Sequence, residues 1–169
     1  MTETQSDSTV ATVSASSNGI YAANALSGST GGAFMTFADP ATGPVQLSLT
    51  FKSSVSPLIN AVSFKVTGAS SVSYYFSDKN GNIVSDSTPV EVTSTSATTS
   101  VNDQLSTPVE AYTVTILMTG ANSLDMIKVS DLIVSACYVP GSLSLFEWAR
   151  FNLLNCFNSV IRKPSFESY

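Results

Sequence analysis

Residues 61–84 read AVSFKVTGASSVSYYFSDKNGNIV, and this stretch sets the class of the whole chain. Val62, Phe64 and Val66 alternate with Ser63, Lys65 and Thr67. Strict period two marks a strand with one face buried and the other wet. Gly68-Ala69-Ser70 interrupts the run, which resumes with Val72, Tyr74 and Phe76 inward and Ser73, Tyr75 and Ser77 outward. Asp78-Lys79-Asn80-Gly81-Asn82 then predicts a hairpin with a type I′ turn, because Asn and Gly both tolerate positive φ. Ile83 and Val84 open the returning strand. Asp78, Asn80 and Asn82 alternate like the first ligands of a calcium loop. Gly81, however, stands fourth rather than sixth, and Pro89 holds the place of the twelfth-position Glu. A polar turn accounts for them.

The same alternation recurs on both sides. Val45, Leu47, Leu49 and Phe51 face inward along Val45 to Lys52, as do Tyr112, Val114, Ile116 and Met118 along Glu110 to Thr119. Pro89 to Thr95 gives a short strand, and Thr95 to Pro108, low in bulky residues, reads as a long loop or an edge. Met126 to Tyr138 is the last long strand. Its apolar phase moves from Ile127 and Val129 to Leu132, Val134 and Ala136, which predicts a β-bulge or a break at Ser130-Asp131. Ile20 to Asp39 is Gly- and Ala-rich and irregular, with a short strand, AFMTF, inside it. Residues 1–18 form a polar tail, disordered or at most a loose strand around Val10 to Val13. After Pro140-Gly141 the period becomes helical. Leu143, Phe146, Ala149, Leu153, Phe157 and Val160 make one apolar stripe of an amphipathic helix over Leu143 to Ile161. The expected organisation is a tail over 1–18, a β-sandwich over 19–139, and the helix with a frayed end over 140–169. The fold class is all-β, an antiparallel jelly-roll sandwich with a C-terminal amphipathic helix.

Composition narrows the chemistry. Charged residues make up 11% of the 169, and solubility of the outward faces falls to 30 Ser and 18 Thr. Residues 1–139 hold four Lys against ten Asp or Glu, so the body is acidic, and no basic cluster offers phosphates a footing. Nucleic acid is excluded as a partner on that ground. The chain has no His, which removes the commonest general base, the Ser-His-Asp arrangement and most zinc sites. Asp78, Asp86, Asp103 and Asp125 read as turn residues, so no carboxylate pair suited to glycoside cleavage can be argued. An enzyme is therefore not expected. Cys137 and Cys156 are candidates for one disulfide, with two buried thiols the alternative. No apolar segment of signal-peptide type follows Met1.

Taken together, AANALSGSTGGAFMTFAD, PVQLSLTF, INAVSFKVTGASSVSYYFSDKNGNIV, EAYTVTILMTGA and MIKVSDLIVSACY resemble, in order and pattern, the galactose-binding-like jelly-roll of discoidin-type and carbohydrate-binding modules. The last segment is similar to repeats appended to secreted mucin-like and von Willebrand-type proteins. The resemblance covers roughly residues 20–138. It implies a non-catalytic module that binds glycans, lipids or protein surfaces through loops at one end of the sandwich. It also implies an extracellular or cell-surface setting and, as in many members, a structural calcium. Two features depart from the family pattern: the only Trp, Trp148, lies in the helix rather than in a ligand loop, and the C-terminal helix is extra.

The expected function is recognition of a glycan or another extracellular surface, which needs a flat aromatic face beside hydrogen-bonding groups. Tyr75, outward between two serines, fits that chemistry, as do Tyr21, Asn24 and Asp39 near the expected loop end. Three of them have a plainer reading. Tyr75 can be an ordinary exposed strand tyrosine, Tyr21 a core closure, and Asp39 a turn residue before Pro40 rather than a calcium ligand. The alternative function is a structural, self-assembling subunit of a matrix or filament. In either case the apolar stripe of the helix must be covered, by the sandwich, by a neighbouring copy or, as second choice, by a membrane surface.

Overall fold

The computed structural model describes residues 2–3, 11–37, 43–52, 55–86, 90–91, 97–121, 126–140 and 159–160. In chain order these form β1 (Thr2–Glu3), β2 (Ala11–Ala15), a 3₁₀ helix (Gly19–Ala25), β3 (Phe34–Phe37), β4 (Val45–Phe51), β5 (Val55–Thr67) and β6 (Ser71–Ser77). They continue with β7 (Ile83–Asp86), β8 (Val90–Glu91), β9 (Thr99–Glu110), β10 (Thr113–Thr119), β11 (Met126–Pro140) and β12 (Ser159–Val160). The strands make two antiparallel sheets. The first runs β1-β2-β4-β10-β6-β7, with β8 also on β6; the second runs β12-β11-β5-β9, with β3 also on β11.

The alternation read in the sequence is what joins the sheets. Leu47, Leu49, Val114, Ile116 and Phe76 from the first meet Val62, Phe64, Val66, Val129 and Val134 from the second in one buried cluster. Full burial of such a side chain stabilises by about 1.5–3 kcal/mol. The contact between layers is most specific at Tyr74. Its ring meets Phe64 of the opposite sheet edge-to-face at 6.5 Å and Phe76 at 5.5 Å. Its hydroxyl donates to the carboxylate of Asp103 on β9. Burial, then that bonded carboxylate, pushes the phenol well above its ordinary pKa.

β5 and β6 follow each other in sequence but lie in opposite sheets, so Gly68-Ala69-Ser70 is a crossover and not a hairpin. Gly68 has φ +87°, and a Cβ there would stand 2.1 Å from the Met126 carbonyl oxygen. Only glycine lets the crossover pass that close to the start of β11. The hairpin at 78–82 forms, but not as type I′. Asn80 is not among the positive-φ residues, and Gly81 alone takes φ 85°. The Gly81 N–H donates to the Asp78 carbonyl at 3.1 Å and the Asp78 N–H to the Asn82 carbonyl at 2.9 Å. This is the three-residue loop in which a type I turn is followed by a left-handed residue. The Asp78 carboxylate selects it by accepting from Asn82 Nδ2 and from the Asn82 and Asn80 N–H groups, which holds its pKa below the usual value.

The bulge expected in the last strand is present. Ser130 pairs with Lys65 and Ile133 with Ser63, so Asp131 and Leu132 together oppose one residue of β5. Asp131 takes φ 54°, in the left-handed region that Asp tolerates better than most residues. The extra residue turns Leu132, Val134 and Ala136 back to the core and leaves Asp131 on the outer face. Within the segment 95–108, residues 99–108 belong to an edge strand, β9, whose pairing with β5 continues to Glu110.

Of the two readings of the tail, a strand is what residues 11–15 form: Ala11 and Val13 are fully buried, with β2 registered on β4. The expected helix lies outside the described residues except for Ser159–Val160, which are extended and pair with Ala136 and Ser135 on the edge of β11. Backbone groups on that edge accept a strand.

Candidate functional site

At the end of the sandwich where β2 finishes, the chain turns sharply and clamps β3. Asn18 takes φ 55°, and its Nδ2 donates to the Met35 carbonyl at 2.7 Å. The Thr36 hydroxyl donates to Ser17 Oγ at 2.8 Å. Ser16 holds the other side, with its N–H on the Gln46 carbonyl at 2.9 Å and its Oγ accepting from the Gln46 N–H at 3.0 Å. Of these, the Asn18 bond satisfies a backbone carbonyl of β3, and the two from Ser16 tie the turn to β4.

A groove of about 530 Å³ opens there, lined by Ser17, Asn18, Met35, Thr36, Phe37 and Met126. Its apolar members come from the register of β3 on β11, which sets Phe37 opposite Met126 and Met35 opposite Lys128. Phe34 and Thr36 turn into the protein, so Met35 and Phe37 must point out, and Phe37 is 62% exposed. Asn18 keeps its Oδ1 as an acceptor and Ser17 its own O–H as a donor. The groove thus offers an apolar ring face beside hydrogen-bonding groups.

The expected site residues are distributed over this end and elsewhere. Tyr21 is 52% exposed on the 3₁₀ helix that follows Asn18, and its N–H donates to the carbonyl of that groove residue at 3.1 Å, but its side chain does not line the groove. Asn24 is engaged in its own loop, accepting from Ser29 Oγ at 3.4 Å and lying over Gly31, where a Cβ would meet its Oδ1 at 2.3 Å. Asp39, both as a ligand residue and as a calcium ligand, lies outside the described residues. Tyr75 stands on the outer face of the first sheet, in a cross-strand row with Thr115, Ser48, Ser14 and Asp86. The structure does not bring it to the groove. Among the described residues no group of three Asp, Glu or Cys could hold a metal ion. Cys137 is disulfide-bonded; the chain's other cysteine, Cys156, lies outside the described residues.

Phe37, Met35, Met126, Asn18 and Ser17 were not singled out from the sequence. A usable signal was there. FMTF carries bulky apolar residues in both phases of the alternation, so on a strand with one face wet some of them stay uncovered.

No protein-family model matches the chain, and no curated protein matches it in sequence. Among solved structures it is similar to a pectin binding carbohydrate binding module, at 15% identity and a TM-score of 0.47, covering 72% of this chain and 87% of that one. It is also similar to a mutant of CBM29-2, a family 29 carbohydrate binding module, at 9% identity and a TM-score of 0.46, covering 74% and 80%. A third likeness is to the enzymatically active domain of tailspike protein 4 of bacteriophage CBA120. There the identity is 18% and the TM-score 0.45, over 73% of this chain and 19% of that one.

Proposed function

We propose that this chain is a non-catalytic recognition module that binds a glycan in the groove at the end of the sandwich. The observation that carries this is the exposed ring of Phe37 beside Ser17 and Asn18. A pyranose presents an apolar C–H face to such a ring while its hydroxyls meet the amide and the hydroxyl. The chain's lack of His supports binding without bond cleavage. The disulfide at Cys137 supports an extracellular or cell-surface setting, because such bonds persist in oxidising compartments. On this reading Asp39, two residues beyond Phe37 in the sequence, stays a candidate ligand-binding residue and a candidate calcium ligand.

The test is affinity electrophoresis of the full chain in gels cast with hydroxyethyl cellulose, galactomannan, xylan or polygalacturonate. At least one should retard the protein, and Phe37→Ala should abolish the retardation. No retardation by any of the four would refute the reading. One observation favours a second reading, self-assembly. Ile20, Tyr21, Met35, Phe37 and Met126, all more than 40% exposed, gather at or beside this end. Light scattering that shows mass rising with concentration, in a protein none of the four gels retards, would support it.

A further inference from the structure

The outer face of the second sheet carries another groove, of about 210 Å³, away from the first. Its outward side chains are Ser63, Lys65, Ser100, Asn102, Asp131 and Ile133, from three adjacent strands, β5, β9 and β11. Lys65 Nζ meets Asp131 Oδ2 at 3.0 Å, with both side chains about half exposed (52% and 49%). The carboxylate reaches that place because the bulge lifts Asp131 out of the alternation at φ 54°. The floor is formed by backbone at Phe64 and Val101, whose side chains turn inward. The groove therefore pairs a cation and a carboxylate with an amide and two hydroxyls, beside the aliphatic Ile133, and has no aromatic wall.

The two grooves share one face. Met35, Phe37, Met126 and Lys128 are exposed on the same side of the second sheet as Lys65 and Asp131. Exposed Lys128 stands between the grooves, opposite Met35 on one side and Thr67 on the other. From Phe37 on β3 to Asn102 on β9 the path crosses three strand intervals and about six residues of strand, on the order of 20–25 Å. That is several sugar units long.

We infer that the two grooves are the ends of one track, and that it takes an internal run of an extended polysaccharide rather than a single terminal sugar. Phe37 stacks on one unit. Several units along, Asp131 accepts from the hydroxyls of another while Lys65 and Asn102 donate to them, and Lys128 lies under the chain between. The side chains suit this task. Carboxylate and ammonium groups bond hydroxyls more strongly than neutral pairs do, the Asn102 amide adds a neutral donor, and an ion pair already half in water gives up little when a hydroxyl enters it.

This inference rests on the glycan reading above, and the experiment separates the two. Oligosaccharides of two to six units, cut from whichever of the four polysaccharides retards the protein, are titrated calorimetrically into the full chain. Affinity should rise about tenfold or more between two units and the longest oligomer, as the second groove is reached. Asp131→Asn keeps a residue that tolerates the left-handed backbone, and Lys65→Met keeps the aliphatic stem. Each should cost about tenfold in affinity for the longest oligomer and leave the two-unit ligand unchanged. Phe37→Ala should weaken both ligands. If Phe37→Ala removes binding but affinity is flat with length and the other two variants bind as the parent does, the end groove alone is the site and the track is refuted. If none of the four polysaccharides retards the protein, the glycan reading fails and the track with it.

Discussion

Replacing Tyr74 by Phe removes one oxygen from the space between the sheets. The Tyr74 hydroxyl donates to Asp103, which reaches in from the edge strand β9, and the ring itself lies against Phe64 and Phe76. Phe preserves the ring contacts, so the change reports on the hydroxyl. A bond to a charged acceptor contributes about 1.5–3 kcal/mol. Asp103 is only half-buried, and water can replace part of what it loses, which points to the lower end, about 1.5 kcal/mol. In a domain of this size that lowers Tm by on the order of 3–6 °C. The pH dependence sharpens the test. The folded-state pKa of Tyr74 is raised above the value of about 10 that it has in the unfolded chain. The stability from keeping the phenol neutral is therefore fully present below about pH 10 and declines above it, by up to about 1.4 kcal/mol per pH unit. Urea titrations from pH 7 to 12 should show the parent losing stability above pH 10 faster than Tyr74→Phe, so the gap between them narrows. Equal stability at pH 7, or parallel curves up to pH 12, would refute the assignment of an inter-sheet tie to this pair.

Three further outcomes follow from local geometry. Gly68→Ala should destabilise by at least the roughly 1–2 kcal/mol of a left-handed L-residue, and by more because its Cβ meets the Met126 carbonyl; a chemical denaturation midpoint equal to the parent's would contradict that packing. Asp78→Ala should flatten the acid limb of the stability curve. The depressed pKa of Asp78 gives stability above its unfolded value near 3.9 that is lost as pH falls, so thermal melts from pH 2 to 5 should change less with pH in the variant than in the parent. Thiol titration of the unreduced, denatured protein should find no free cysteine, and mass spectrometry of a digest should join the peptides of Cys137 and Cys156; two reactive thiols would overturn the disulfide.

The strands were legible because a half-buried strand writes its burial as period two. Leu47, Leu49, Phe51, Val62, Phe64, Val66, Val114, Ile116 and Val134 are all where that period puts them. The bulge at Asp131 was legible for the same reason, as a change of phase. Pairing was not. Nothing in 61–84 says that Val62–Thr67 and Ser71–Ser77 part to opposite sheets, since partners are chosen by residues far along the chain. β9 reads as weak because an edge strand has a neighbour on one side only, and its polar phase dominates its composition. The groove was hidden for a different reason. Phe37 and Met35 are the residue types that normally fill a core, and it takes the burial of Phe34 and Thr36 to show that those two took the inward positions. Tyr75 was rightly placed outward, yet neighbours on its own sheet surround it rather than the end loops.

The central pairings of both sheets join distant parts of the chain: Leu49 lies beside Val114, 65 residues on, and Val62 beside Val134, 72 residues on. A chain emerging from a ribosome completes β4 and β5 long before β10 and β11 exist. During that interval the apolar faces of Val45 to Phe51 and Val62 to Val66 have no central partner, and β2 can shelter only one flank of β4. Neither sheet can close until the last third of the domain is made, so folding is a late, nearly all-at-once event with a high contact order. The synthesis of this protein therefore passes through a long phase in which its best strands are its stickiest, and its yield depends on what keeps nascent copies apart until β11 arrives.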